Sequence, residues 1–445
     1  MKIYALARKI NKKIKQRRRE NAGRYLSPVR RFEKFSVPEG ENLVSMTFDD
    51  GPMNMPINPV IEPKYENCGL TKVLIDIMGE HGARGTFNVI GTTEHNYPDR
   101  EGTINKPTWS GVKHDHYPMF GKDKYAGAKH QKELIRALID NGHEISNHGY
   151  RHVLFGRNNI VYGTREHFSN IHEVVSDLTE LHNLLKREFN YEVIMSRPPH
   201  YIDKMPDGFT SYEAYAMMGY DYLAASFDGG GWMPTVGSYK EDVKNMVQPI
   251  KNILESDSSS LNGQIIFQKD GYNMSLMTPV ASALKEQLEV LKKYGYKVVS
   301  VRELKNQYPF EDFHDISKNF EIARELEQKG FVIGYKTNEF KPDKNLTLGE
   351  MVTMTLTKED YKKELNKICN SKQDKAMYLK QPYYLGFSHY KRLDLMDKED
   401  SIATKEDIKR FYSDNFGINP SIKKNSLKRY EYLEVLAELK DNIDK

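Results

Sequence analysis

The chain has 445 residues, which is longer than one average domain and suits two or three. Charged residues make up 29%, yet the net charge is only +4, so composition excludes a protein that binds polyanions over its whole surface. The two cysteines, Cys68 and Cys369, lie far apart, which excludes a disulfide framework and a cysteine-based metal cluster.

The N-terminal residues differ from the rest by a dense positive run, "KINKKIKQRRREN". We expect residues 1–34 to form a basic, disordered arm; the alternative is weak adhesion to an anionic lipid surface or polymer. The preceding "IYALA" is too short for the apolar core of a signal peptide, and no later stretch is apolar for long enough to cross a bilayer.

Short apolar runs then alternate with helical patterns over residues 35–305. Because crossover helices usually connect parallel strands, this alternation predicts an α/β barrel or an open α/β sheet. In either fold, functional residues gather at the carboxyl ends of the strands. Strands are predicted at 43–48, 85–91, 220–228, 264–268 and 296–301, and helices at 70–78, 133–142, 172–189 and 280–295.

Two regions depart from this alternation. The segment 92–132 is rich in polar, aromatic and turn residues, and a loop of this length is either a wall beside a site or a surface insertion. From residue 306 to 445 the strand patterns fade, and a second, mostly helical region is predicted.

Acidic residues and histidines occur in two short motifs, "TFDDGP" and "NGHEISNHGYRH". His148 and His152 can converge on one cation if they occupy one helical turn, and Asp50 is then the natural third zinc ligand, with water in the open position. Asp49, expected on the alternate side of the backbone, is the natural base for a metal-activated water.

These motifs and three later ones, in this order, resemble those of the polysaccharide deacetylases of the NodB homology type, carbohydrate esterase family 4. "TFDDGP" (47–52) matches the first motif and "GHEISNHGYRH" (142–152) the second. "SRPP" (196–199) matches the start of the third, "FDGGGW" (227–232) resembles the fourth, and "IIFQKD" (265–270) lies where the fifth belongs.

The resemblance implies an α/β fold, a distorted (β/α) barrel of the NodB deacetylase type. It implies a divalent metal, most often Zn²⁺ with Co²⁺ or Mn²⁺ as alternatives, held by Asp50, His148 and His152. Asp49 would be the catalytic base, and Arg197 would orient it through a charge-assisted bond.

The reaction implied by this family removes N-acetyl, or less often O-acetyl, groups from a cell-wall or extracellular polysaccharide such as peptidoglycan or a chitin-like polymer. The metal polarises the acetyl carbonyl while its water attacks, and the oxyanion is held by the metal and a backbone N–H.

The third and fourth motifs depart from the family pattern. His200 stands where the family has a tyrosine, and Tyr201 follows it. If only the backbone N–H of that position serves the oxyanion, His200 fulfils the role. Gly231 replaces an acid, whereas Asp228 and Trp232 remain. We expect His200, Tyr201 and Trp232 to contact the substrate or the oxyanion.

The fifth motif departs most, because Lys269 stands where the family has a histidine that acts as general acid, tuned by Asp228. The reference pKa of a lysine side chain, about 10.4, is far from that of a proton shuttle at neutral pH. Three interpretations stay open. Lys269 is the acid, with an alkaline optimum; another group, such as His200 or a histidine of the 92–132 segment, replaces it; or the site binds metal and glycan but turns over poorly.

The helical region resembles one S-layer homology repeat at 310–356, with eroded copies at 401–411 and 425–436. The family usually carries an arginine in a threonine–arginine–alanine–glutamate stretch, where this chain has Thr347, Leu348, Gly349 and Glu350. The resemblance implies that residues 306–445 bind an anionic secondary cell-wall polymer; the alternative is a helical appendage that packs on the barrel.

Three functions follow as hypotheses. The first is a metal-dependent deacetylase acting on a glycan, the second a glycan-binding envelope protein with a site impaired at Lys269, and the third a zinc hydrolase of a non-sugar amide. The substrate and the repeats indicate the cell envelope or the exterior, while the lack of a visible signal peptide keeps a cytoplasmic location open. No nucleic-acid partner and no transmembrane segment are expected.

Overall fold

The fold was analysed in a computed structural model that describes residues 21–57, 62–94, 124–157, 166–232, 237–271, 277–313, 318–381 and 383–443. The chain divides into two compact units. One comprises Glu33–Gln307, and the other combines residues 21–32 of the described chain with Tyr308–Lys445. Most of the 92–132 segment, residues 95–123, and the first 20 residues of the predicted arm lie outside the described residues.

A curled parallel sheet forms the centre of the Glu33–Gln307 unit, which confirms the predicted distorted (β/α) barrel as a half-barrel. The short strand β1, Arg31–Phe32, precedes this unit. The sheet strands are β2 Leu43–Gly51, β3 Thr86–Val89, β4 Glu144–Asn147, β5 Met195–Ser196, β6 Asp221–Leu223, β7 Phe227–Asp228, β8 Ile265–Lys269 and β9 Lys297–Val298. These strands pair in the order β6-β5-β4-β3-β2-β8-β7, and β9 pairs with β2.

Most helices of this unit connect the strands as crossover segments, and several of them begin at a side-chain cap. Asn170 accepts a hydrogen bond from the backbone of Glu173, and Thr210 forms a capping box with Glu213. The helices are α1 Leu70–Glu80, α2 Lys132–Asp140, α3 Ile171–Phe189, α4 Ser211–Met218, α5 Tyr239–Ser256, α6 Pro279–Lys293 and α7 Val301–Gln307.

The central strand β2 brings the site residues together. All nine of its residues are buried, and it pairs in parallel with β3 on one side and β8 on the other. Asp49 lies opposite Asn88 of β3 and Lys269 of β8. Further along the sheet, Asn147 at the end of β4 lies opposite Ser196 of β5. The carboxyl ends of five neighbouring elements therefore meet at one edge of the sheet.

The second unit is helical, as expected. Its helices are α8 Lys318–Gln328, α9 Leu348–Met354, α10 Lys358–Cys369, α11 Lys372–Tyr378, α12 Tyr384–His389, α13 Lys405–Phe416 and α14 Arg429–Ile443. Thr347 and Thr404 cap α9 and α13 with an acid three residues later, and short bridges join residue 345 to 428, 347 to 402 and 404 to 426. Among the described residues, no helix is both long and apolar enough to span a bilayer.

The described end of the predicted arm packs inside this second unit. Leu26, Val29 and Phe32 are buried, and so is the side chain of Arg30. Arg30 pairs with Glu327 at 2.5 Å, donates to Asn338 at 3.0 Å and also contacts the Pro309 carbonyl. A buried guanidinium with this many acceptors is satisfied, so residues 21–32 are part of the unit's core rather than a solvated arm.

We expect Arg30→Met to destabilise the second unit by about 3 kcal/mol, because the substitution leaves the Glu327 carboxylate buried without its counter-ion. Denaturant unfolding of the purified chain measures this change. The matched control is Arg324→Met, since Arg324 pairs with Glu321 at the surface and its loss should cost less than about 1 kcal/mol. Equal effects of the two substitutions would contradict the assigned role of Arg30.

His143 makes the stability of the Glu33–Gln307 unit depend on pH. Its Nδ1 accepts a hydrogen bond from the Gly85 N–H at 3.1 Å, and its ring lies edge-on against Phe87. Burial, helped by the positive charge of Arg84, lowers the pKa of His143 to about 4. In the unfolded chain this histidine therefore binds a proton near pH 6.5, whereas in the folded chain it does so only near pH 4. The free energy of unfolding consequently decreases as the pH falls from about 6.5 to about 4.

We expect this loss to reach about 3 kcal/mol and to disappear in His143→Asn, whose amide retains an acceptor but cannot titrate. The measurement is the free energy of unfolding against pH for the wild type and the variant. His130→Asn, at an exposed histidine, serves as the control and should keep the wild-type slope. Parallel curves for the wild type and His143→Asn would exclude His143 as the source.

Candidate active site

The two adjacent aspartates lie at an irregular end of β2. The strand continues to Gly51, its pairing with β3 shifts between Asp49 and Gly51, and Asp50 has a left-handed φ of 78°. His148 Nε2 consequently lies 3.2 Å from Asp50 Oδ1 and 3.8 Å from Asp49 Oδ2. The expectation that the two side chains occupy alternate sides of the strand is therefore wrong, because the irregularity turns both carboxylates toward one histidine.

The two histidines converge through a loop after β4, not through the helical turn that their spacing suggested. Gly149 and His152 have left-handed φ values of 87° and 53°, which reverse the chain between the rings. The Asn147 side chain accepts from the Gly149 N–H at 2.8 Å. The Asp177 carboxylate accepts from the backbone N–H groups of Tyr150 at 2.7 Å and of the next residue at 3.2 Å. These bonds fix the loop in the shape that brings the rings together.

Asp50, His148 and His152 form a compact, buried set of possible metal ligands. Asp50 Oδ1 lies 3.2 Å from Nε2 of each histidine, and one ligand atom from each residue lies within 4.8 Å of the others. His148 Nδ1 lies 2.8 Å from the Arg197 carbonyl, which only accepts, so Nδ1 carries a proton and, in the neutral ring, Nε2 offers its lone pair to a metal. One carboxylate oxygen and two imidazole nitrogens at this spacing fit a divalent cation such as Zn²⁺.

Arg197 holds the other aspartate. Its side chain is completely buried, and it donates to Asp49 Oδ1 at 2.5 Å, to the Thr47 hydroxyl at 3.0 Å and to the Ala224 carbonyl at 2.9 Å. Burial lowers the pKa of Arg197, but the charge and hydrogen bond of Asp49, together with the nearby Tyr201 and Tyr222, raise it overall. Asn88 Nδ2 also donates to Asp49 Oδ1 at 2.5 Å. One oxygen of Asp49 is therefore fully engaged, while Oδ2 faces His148.

Lys269 contacts Asp50 directly. The Nζ atom donates to Asp50 Oδ2, and the side chain is 8% exposed. Burial raises the pKa of Asp50, but the charge of Lys269 and the two histidines together hold it well below its ordinary value. Asp228, the residue expected to tune Lys269, forms no ion pair with it among the described residues and bonds to the Trp232 indole at 3.0 Å and to the Gly230 N–H instead.

Sequence comparisons agree with this geometry. Residues 36–201 match the family model for polysaccharide deacetylases, and residues 309–352 match that for the S-layer homology domain. The chain carries a polysaccharide deacetylase domain and an S-layer homology domain. Members of the first family are hydrolases, so the predicted enzyme class is confirmed.

Individual relatives of the deacetylase domain are distant. A peptidoglycan-N-acetylglucosamine deacetylase from Bacillus cereus is 21% identical over 275 residues, which cover 61% of this chain and 92% of the relative. The chitin deacetylase structure from Colletotrichum lindemuthianum is 19% identical over 62% of this chain and 90% of that chain, with a TM-score of 0.40. A pseudoenzyme of carbohydrate esterase family 4 from Bacillus anthracis is 14% identical over 63% and 69%, with a TM-score of 0.38.

His200 and Tyr201, both predicted to contact substrate, lie beside His152 and Arg197, respectively. The His200 ring centre is 5.4 Å from that of His152, and both His200 and Tyr201 have a left-handed φ of 56°. Tyr201 is 38% exposed, and its N–H donates to the Pro198 carbonyl. Trp232 is half-buried and held through its indole N–H by Asp228. The neighbouring segments 233–236 and 272–276 lie outside the described residues.

Sequence reasoning missed the residues that support the site. Asn88 and Thr47 bond directly to the Asp49–Arg197 pair, Asp177 fixes the histidine loop, and the Thr71 hydroxyl donates to Asp270 at 2.7 Å beside Gly51. Thr47 is in the first motif and Asp270 in the fifth, so their positions offered a signal. The role of Asn88 follows only from the strand register, which places it opposite Asp49. No sequence signal indicated Asp177, because it lies in an ordinary helical pattern.

We expect Asp177→Asn to lower the affinity for Zn²⁺ by about 10- to 100-fold, because an amide NH₂ replaces an acceptor that holds the histidine loop. Isothermal titration of the metal-free protein measures this change. The matched control is Asp207→Asn, since the Asp207 carboxylate also accepts from two backbone N–H groups, but these belong to Ile171 and Phe209 and not to the histidine loop. An unchanged zinc affinity in folded Asp177→Asn would contradict the positioning role.

Proposed function

We propose that this protein removes N-acetyl groups, or O-acetyl groups in a subset of substrates, from a cell-wall or extracellular polysaccharide. One observation carries the proposal: a buried Asp-His-His set lies beside a second aspartate that a buried arginine locks in place. The deacetylase family match and the peptidoglycan deacetylase relative support an acetylated glycan, with a polymer of N-acetylglucosamine as the leading substrate.

Asp50, His148 and His152 would hold the divalent cation. Bound there, such a cation would polarise the acetyl carbonyl and lower the pKa of a water to roughly 7. The protein supplies the remaining groups. Asp49 would accept the proton of the attacking water through Oδ2, the oxygen that faces His148, while its Oδ1 is held by Arg197 and Asn88. A base with one immobilised oxygen presents the other in a fixed direction.

The rim of the site would bind the sugar. Tyr201 exposes its ring, Trp232 is fixed by Asp228, and His200 lies against His152. Aromatic faces suit the apolar faces of sugar rings, and their polar atoms suit hydroxyl groups. We assign these three residues to substrate binding and the backbone N–H of His200 to the oxyanion, because Pro199 has no N–H and the Tyr201 N–H donates to the Pro198 carbonyl.

The S-layer homology domain supports a place for the enzyme at the cell envelope. Residues 308–445, together with the N-terminal segment 21–32, would bind an anionic secondary cell-wall polymer and keep the deacetylase domain close to its substrate. Attachment of this kind raises the local concentration of substrate without any change in the catalytic site.

A second candidate is a glycan-binding envelope protein with an impaired site. The observation that favours it is the contact of Lys269 with Asp50 and not with Asp228, because a lysine placed this way does not occupy the position of a tuned general acid. Loss of an acid group usually reduces the rate by 10²–10⁴-fold and does not abolish it.

Acetate release from peptidoglycan and from chitin oligomers tests the proposal. We expect the wild type to lose activity after chelation and to regain it with Zn²⁺, Co²⁺ or Mn²⁺. Asp49→Asn should still bind the metal and lose about 10²–10⁴-fold in turnover, whereas Asp50→Asn should lose both metal and turnover. Asp76→Asn, at a surface ion pair, is the matched control.

The outcome separates the candidate functions. Chelator-sensitive acetate from a glycan, but not from a non-sugar acetamide, supports the polysaccharide deacetylase. Glycan binding by the folded protein without acetate from any acetylated glycan would refute the proposal in favour of the impaired protein. Preference for a non-sugar acetamide would show a different hydrolase.

A further inference from the structure

Two cations are built into the site, one for each aspartate. Arg197 pairs with Asp49, and Lys269 pairs with Asp50. All four side chains are less than a tenth exposed. Water therefore screens these charges poorly, and the charge of the whole cluster matters for any ion that enters it.

Lys269 reaches Asp50 from the neighbouring strand. It is the last residue of β8, lies opposite Asp49 in the parallel register, and its side chain extends past that residue to Asp50. Within the described residues, Asp50 is the ion-pair partner of Lys269, and no other acid shares this ammonium. A buried lysine in this position depends on the Asp50 carboxylate for its counter-charge.

Asp50 divides its two oxygens between different partners. Oδ1 lies 3.2 Å from Nε2 of both His148 and His152, and Oδ2 accepts from Lys269. Asp50, the carboxylate that would ligate a divalent cation, is thus already paired with the ammonium group of Lys269. A second positive charge at Oδ1 weakens the attraction of Oδ2 for the ammonium, and the reverse holds equally.

Charge counting gives the direction of the effect. Within the cluster of Arg197, Lys269, Asp49 and Asp50, two positive and two negative charges sum to zero before a metal binds. A divalent cation would leave it with two excess positive charges in a buried site. With an uncharged side chain at position 269, the cluster would carry one negative charge before the metal binds and one positive charge afterwards. Metal binding to this cluster is more favourable than to the cluster that contains the lysine, because less positive charge accumulates in the buried site.

We infer that Lys269 is a tethered counter-ion of Asp50 that competes with the divalent cation, so that this site binds its metal more weakly than the same ligands would without the lysine. This inference rests on the metal site of the proposed function. The lysine keeps the metal-free site neutral and folded, and metal occupancy then depends on the concentration of divalent cations around the protein.

Zinc affinity of the full-length protein tests the inference. We expect Lys269→Met, which is uncharged and similar in length, to bind Zn²⁺ about 10- to 100-fold more tightly than the wild type in isothermal titration. The metal-free variant should also unfold at a lower temperature, because Asp50 loses its counter-ion. The matched control is Lys305→Met, since Lys305 pairs with the buried Asp221 away from the site and its loss should leave zinc affinity unchanged.

The readout separates competition from a purely structural role, which would lower stability without raising zinc affinity. Equal or weaker zinc binding by folded Lys269→Met would overturn the inference while leaving the proposed metal site intact. Absence of zinc binding in both folded proteins would overturn the inference and the proposed function together. If Lys269→Met does not fold, Lys269→Gln carries the same expectation and the same overturning result.

Discussion

The buried guanidinium of Arg197 is the constraint on which the deacetylase site depends. Its side chain holds Asp49, and its backbone carbonyl accepts the Nδ1 proton of His148. One residue at the end of β5 therefore fixes both the direction of the proposed base and the tautomer of a proposed ligand. Because the guanidinium is also bonded to Thr47 and to the Ala224 carbonyl, the arrangement has little freedom to relax if any one member changes.

The sheet explains how so many charged groups tolerate burial. Parallel register places the ends of β3, β2 and β8 side by side, so that Asp49 meets Asn88 on one side and Lys269 on the other. Asp49 pairs with Arg197 and Asp50 pairs with Lys269, so each of these two carboxylates has its own cation. The site is thus stable as a set of paired charges, and this same pairing opposes the entry of additional positive charge.

Sequence patterns predicted the fold class, the motif order and the three possible ligands, because long periodic segments and multi-part motifs carry strong signals. They missed β4 and β5, which have four and two residues and too little periodicity to detect. They joined β6 and β7 into one strand at 220–228. The partner of Lys269 could not be read from sequence either, since the choice between Asp50 and Asp228 depends on strand register and on the irregular turn at Asp50.

The division of the chain has a further consequence for how the deacetylase domain is attached. Residues 33–307 form an insertion within the sequence of the other unit, which contains residues on both sides of it. Two covalent junctions, near 32 and near 307, therefore connect the enzyme to its proposed wall anchor. A protease that cuts one junction leaves the other intact, and the severed N-terminal piece is still held by the Arg30–Glu327 pair. Release of the deacetylase domain from the other unit would therefore require cleavage at both junctions.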